Sequence, residues 1–123
     1  MDIGAIVVSI IPSVYRWVRK RLTPALEVKP ETYSIKRNSL SINGRLINNT
    51  DYDMIFEKIY LKDRDGSMYK NRLGEGGIRA HGGYQFTFEF GLPKHHKCTL
   101  IIVTTTQKKY KKKIDLKKLR KIG

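Results

Sequence analysis

Tyr84-Gln85-Phe86-Thr87-Phe88-Glu89-Phe90-Gly91 (YQFTFEFG) alternates aromatic and polar residues without a break. Successive side chains on a strand point to opposite faces. Tyr84, Phe86, Phe88 and Phe90 therefore share one face, and Gln85, Thr87 and Glu89 the other. This period of two marks a half-buried β-strand and sets the fold class.

The neighbouring segments have the same texture. LPKHHK (92–97) reads as a loop, and CTLIIVTTT (98–106) is apolar enough for a buried strand. KKYKKKIDL (108–116) can return beside it, turning near Gln107-Lys108. Upstream, LSINGRLIN (40–48) alternates Leu40, Ile42, Gly44 and Leu46. DMIFEKIYLKD (53–63) is rich in β-branched and aromatic residues and runs into Asp65-Gly66, a hairpin signal. The glycine-rich stretch 68–83 leaves room for one or two short edge strands. No helical pattern interleaves these segments, so a parallel α/β sheet is not expected.

The 123 residues divide into four parts. Residues 1–22 are a hydrophobic-basic N-terminal segment. Residues 23–31 carry Pro24 and Pro30 and read as a linker. Residues 32–116 hold the strands, and 117–123 form a basic tail. The expected class is mainly β: an antiparallel sandwich of about seven strands preceded by a short N-terminal hydrophobic or amphipathic helix.

The stretch Ile42-Asn43-Gly44-Arg45-Leu46-Ile47-Asn48-Asn49-Thr50 has the form apolar-x-Gly-x-apolar-x-Asn-x-Thr. Ile59-Tyr60-Leu61-Lys62-Asp63 then precedes Asp65-Gly66, and Gly82-Gly83 leads into Phe86 to Phe90. This order resembles the small immunoglobulin-like sandwiches of the FxLYD and CARDB kind, over about residues 33–116. The chain departs from that pattern at Ile59, where the family has Phe, and at Lys62, where it has Tyr. The resemblance implies an immunoglobulin-like fold. Its motifs are structural and imply no activity. The order of parts also looks like short membrane-anchored bacterial proteins.

The chain carries 25 Lys/Arg against 11 Asp/Glu, a formal net charge of +14. That excess favours polyanions, of which nucleic acid and anionic lipid are the common ones. From Lys94 to Gly123 there are eleven Lys/Arg and one acid, Asp115. Lys108, Lys109, Lys111, Lys112 and Lys113 surround Tyr110 in the densest run. On an extended strand Lys109, Lys111 and Lys113 share a face, opposite Tyr110, Lys112 and Ile114. The run serves either as a lysine-blunted edge strand or as a basic stripe for phosphates, with Tyr110 and Tyr69 available for stacking.

The first 22 residues run from an apolar stretch, Ile3 to Ile11, into Arg16, Arg19, Lys20 and Arg21. Thirteen residues from Ile3 to Tyr15 make about 20 Å of helix, short of a hydrocarbon core of about 30 Å. An interfacial helix fits better. Ile3, Ile6, Val7, Ile10, Val14 and Trp17 fall on one face at helical spacing, with basic residues beside them for anionic head groups. A secretion signal would carry its charge before the apolar run, and here the order is reversed. By the positive-inside rule the sandwich is expected at the cytoplasmic face of the membrane. Packing on the sandwich or self-association through this segment are the competing readings; a soluble cytoplasmic protein is the alternative location. The single Cys98 forms no internal disulfide, in keeping with a reducing compartment.

Other groups read as structural. His95, His96 and Cys98 with His81 fall short of a zinc set, because adjacent residues on extended chain point apart. Asp63-x-Asp65-Gly66 lacks the acids of a calcium loop and reads as a hairpin turn. Asn48-Asn49-Thr50 is a glycosylation sequon in form only. No nucleophile stands beside a base and an orienting acid, so no catalytic residue, metal or cofactor is expected. The expected function is a non-enzymatic interaction module at the membrane surface that binds an unidentified protein partner. The alternatives are a basic nucleic-acid-binding β protein using residues 94–123 and an assembly subunit that inserts its N-terminal segment into a neighbour.

Overall fold

The computed structural model describes residues 23–122. The expected N-terminal helix and its membrane-contact residues, Ile3 to Arg21, lie outside these described residues.

Two open sheets share one apolar core. The first has the order β6-β2-β1-β9, built from β1 (Leu26–Lys36), β2 (Ser39–Asn48), β6 (Gly83–Gly91) and β9 (Arg120–Lys121). The second has the order β4-β3-β7-β8, from β3 (Met54–Asp63), β4 (Met68–Lys70), β7 (Lys97–Thr104) and β8 (Lys109–Asp115). β5 (Gly77–Ile78) pairs with β3 at its start. All pairings are antiparallel except β1 with β9.

The aromatic alternation of β6 does what its period implies. Phe86, Phe88 and Phe90 are buried, and Gln85 and Thr87 are exposed. Phe86 stacks on Phe88 with ring centroids 4.4 Å apart, and Phe90 meets Phe88 edge-on at 6.3 Å. With Leu40, Ile42 and Leu46 of β2 they close on Ile59 and Leu61 of β3 and Leu100 and Ile102 of β7. Each such side chain contributes about 1.5–3 kcal/mol by leaving water.

Two boundaries and the strand count differ from the sequence reading. The first strand begins at Leu26, inside the expected linker, and passes through Pro30. Leu26 and Val28 are buried, so this segment is held by core contacts. Proline donates no N–H, and the ladder shifts register between Pro30 and Thr32 at that point. At the other end, Leu116 is buried in a 3₁₀ turn (Leu116–Lys118) and Leu119 packs on the core. They bring Arg120 and Lys121 beside β1, where Ile122 N donates to Tyr33 O at 2.8 Å. The segment expected as a basic tail is docked. The count reaches nine strands among the described residues because the stretch 68–83 supplies two short strands, β4 and β5, and the docked C-terminus adds β9.

Candidate polyanion interface

The outer face of the second sheet is assembled by cross-strand register. β3, β7 and β8 place Lys58, Val103 and Lys109 in one row. The next row is Lys70, Tyr60, Ile101 and Lys111, and the third is Met68, Lys62, Thr99 and Lys113. Among the described residues these three rows hold six lysines and no carboxylate. Glu57 bounds the face at one end, bonded to Gln107 Nε2 at 2.7 Å, and Asp115 bounds it at the other.

Ile101 and Val103 explain how this face stays closed to water. They are 5% and 4% exposed, yet neither belongs to the shared core. They sit between Lys58, Tyr60, Lys109 and Lys111, whose long side chains can cover apolar surface while their polar ends stay in water. A bulge between Phe56 and Lys58 makes this placement possible. It lets Phe56 and Ile59 both face the core and turns Lys58 outward. Lys58, Tyr60, Met68 and Lys70 line a hollow of about 220 Å³ on this face.

Of the residues singled out from sequence, Lys109, Lys111 and Lys113 stand on the face. Lys112 points the other way, into a shallow cleft with Val28, Lys29 and Pro30 of β1. Tyr110 is half-buried against the core, and so is Tyr69, whose ring crowds Gly91. Lys108 leaves the run altogether. Its Nζ donates to the Tyr52 hydroxyl at 3.2 Å and lies 5.5 Å from that ring's centre. That bond favours the charged ammonium and raises the Lys108 pKa. Sequence reading missed Lys58, Lys62 and Lys70. The spacing of Lys58, Tyr60 and Lys62 along β3 carried the signal, but only pairing through β7 sets them opposite the lysines of β8.

One end of the face meets a compact polar lock. Asp63 is buried at the end of β3, where its carboxylate accepts from Arg64 N at 2.6 Å and Lys94 N at 2.8 Å. The His95 ring sits 3.0 Å from the same group. Burial pushes the carboxyl up, but the two N–H groups and the histidine outweigh it and hold it below the usual value. Asp65 and His95 come close enough with Asp63 for their ligand atoms to lie within 4.8 Å of one another. Asp65 in turn accepts from Ser67 N at 2.9 Å. These bonds account for the cluster as a fastening between the β3–β4 turn and the 92–97 loop. Cys98 lies against it, with its thiol pushed up to about 12 by burial and by the Asp63 charge. Such a thiol stays neutral and is a poor nucleophile.

No helix among the described residues is long and apolar enough to cross a membrane. No protein-family model matches the chain, and no curated protein matches it in sequence. Several solved structures align with it, including the following two. The yjhA protein from Bacillus subtilis is 14% identical with a TM-score of 0.48, covering 72% of this chain and 84% of that one. Northeast Structural Genomics Consortium target SoR45 is 17% identical with a TM-score of 0.38, covering 72% of this chain and 79% of that one.

Proposed function

We propose that this chain is a non-enzymatic interaction module, an immunoglobulin-like sandwich that docks on an anionic membrane surface at its cytoplasmic face. The lysine-covered face of the β4-β3-β7-β8 sheet carries the reading. A broad face of one charge with no carboxylate between its rows suits a flat anionic layer. Each lysine brought near such a layer contributes about 1 kcal/mol. The apolar-basic segment from Ile3 to Arg21 supplies the second contact that stable membrane binding needs, and Ile3, Ile6, Val7, Ile10, Val14 and Trp17 would enter the head-group region. The β6-β2-β1-β9 sheet is then left for the protein partner.

Flotation of the full chain with vesicles tests this. Vesicles containing phosphatidylserine should carry the chain, and Lys58→Ala, Lys70→Ala and Lys111→Ala together should weaken binding about ten-fold or more. Equal flotation of the triple variant and the parent overturns the role of the face.

One observation favours a second reading. Tyr60 stands half-buried among Lys58, Lys62 and Lys70, an arrangement that can stack a base while lysines hold phosphates. Single-stranded RNA binding that falls steeply with salt and is lost in Tyr60→Ala, without vesicle binding, would replace the membrane reading with this one.

A further inference from the structure

The lysine face ends in a cleft that surface docking does not require. Its volume is about 540 Å³, within the range of small-ligand sites. Lys62 and Lys113 flank Thr99 in the last cross-strand row. Beyond them Arg64 from the β3–β4 turn, Lys97 from the start of β7 and Lys118 from the 3₁₀ turn complete the wall. Five cations thus line one cleft, drawn from three stretches of the chain, 62–64, 97–99 and 113–118.

The cleft neutralises them only in part. The ion pairs among the described residues are Lys29–Glu27, Arg72–Glu89, His81–Asp51 and His95–Asp63, and none involves these five. Asp63 and Asp115 also line the cleft. Asp63 is engaged by Arg64 N, Lys94 N and His95, and Asp115 accepts from Lys117 N at 3.1 Å. Five cations against two carboxylates leave three positive charges in a concavity, where low-dielectric walls focus the field.

We propose that this cleft binds a multiply charged phosphate group of sugar-phosphate size. A ligand with three or more negative charges balances the wall. The Arg64 fork can grip two oxygens of one phosphoryl group while the lysines act as point charges around the rest. A phosphorylated lipid head group and a soluble polyphosphate share this chemistry. The site goes beyond the membrane reading and does not depend on it.

Calorimetric titration of the full chain with sodium tripolyphosphate at low salt tests the cleft. Saturable binding near one per chain is expected. Combined Arg64→Ala, Lys97→Ala and Lys118→Ala should weaken it about ten-fold or more, and the face variant Lys58→Ala, Lys70→Ala, Lys111→Ala by less than about three-fold. Arg64→Glu, a single change in an exposed turn, should abolish binding without disturbing the strands. Binding that does not saturate, or that both triple variants weaken equally, overturns the proposal. Vesicles then separate the sources. A preference for phosphoinositide over phosphatidylserine at equal charge, lost in the cleft variant, supports a lipid head group. Tripolyphosphate binding without that preference supports a soluble phosphate. Failure of the face reading shows separately, as vesicle binding that the face variant leaves unchanged.

Discussion

The side-chain amide of Asn48 is fully buried and uses both of its ends. Its Nδ2 donates to the carbonyls of Tyr52 at 2.8 Å, Arg79 at 3.1 Å and Ile78 at 3.2 Å. Its Oδ1 accepts from Thr50 N at 2.9 Å and Thr50 Oγ1 at 2.6 Å. One residue therefore fastens the end of β2 to the loop before β3 and to the segment after β5. The sequon Asn48-Asn49-Thr50 is consumed by this network, which leaves no amide for a glycan. Asn48→Ala leaves the buried Ile78 carbonyl and the part-buried Arg79 carbonyl without this donor and should lower unfolding stability by about 2–4 kcal/mol in a urea titration. Asp63 plays the matching part at the other end. The Arg64 and Lys94 N–H groups and His95 hold its folded carboxyl below its ordinary value, so its contribution is complete above the ordinary value and is lost as pH falls through the folded one. Stability measured from pH 6 down to about 2 should drop more steeply for the parent than for Asp63→Asn, whose lower stability is less dependent on acid. A parallel fall in both proteins would remove Asp63 from the explanation.

Among the strands, β2 shows why its glycine is needed where the apolar alternation would otherwise take a larger residue. Gly44 sits opposite Pro30, at the register shift in β1, and opposite Phe86 in β6. A Cβ there would run into the Lys29 carbonyl and the Phe86 ring. Gly44→Ala must therefore push apart the β1–β2 pairing or the aromatic stack, at a cost of about 1–3 kcal/mol, read as a lowered midpoint in thermal unfolding. An unchanged midpoint would mean that the bulge absorbs the methyl group. The β8 strand carries the opposite lesson. It is the last strand of its sheet, and its lysines hinder pairing with another chain whatever else they bind. Edge protection and the proposed anion contact would use the same residues without conflict. The turn into β8 places Gln107 at a φ of 67°, a left-handed position, which fits the turn expected at Gln107-Lys108.

Across the whole molecule, the formal charge of +14 works against compaction. Lysines two apart on β8 stand about 7 Å from each other, where like charges in water repel by about 0.6 kcal/mol. Added salt screens this repulsion, since the Debye length falls to about 8 Å at physiological strength. The melting temperature should rise from low to moderate salt, by about 4–8 °C if screening recovers about 1 kcal/mol. A melting temperature independent of salt would show that the cations are already neutralised within the fold. The β class, the Asp65-Gly66 turn, the buried β7 strand and its return through β8 were all legible in the sequence, because periodicity and turn chemistry act between near neighbours. The start of β1 was not, because Pro24 and Pro30 suggest a linker locally while burial of Leu26 and Val28 decides the matter at a distance. The docked C-terminus escaped for the same reason, its strand being fixed by contacts with β1. By itself the sequence determined that strands form and that lysine dominates the C-terminal third. Only the tertiary structure decided which lysines share a face, because Lys58, Lys62 and Lys70 are brought into rows with Lys109, Lys111 and Lys113 through strand pairing, and register is set by the whole core.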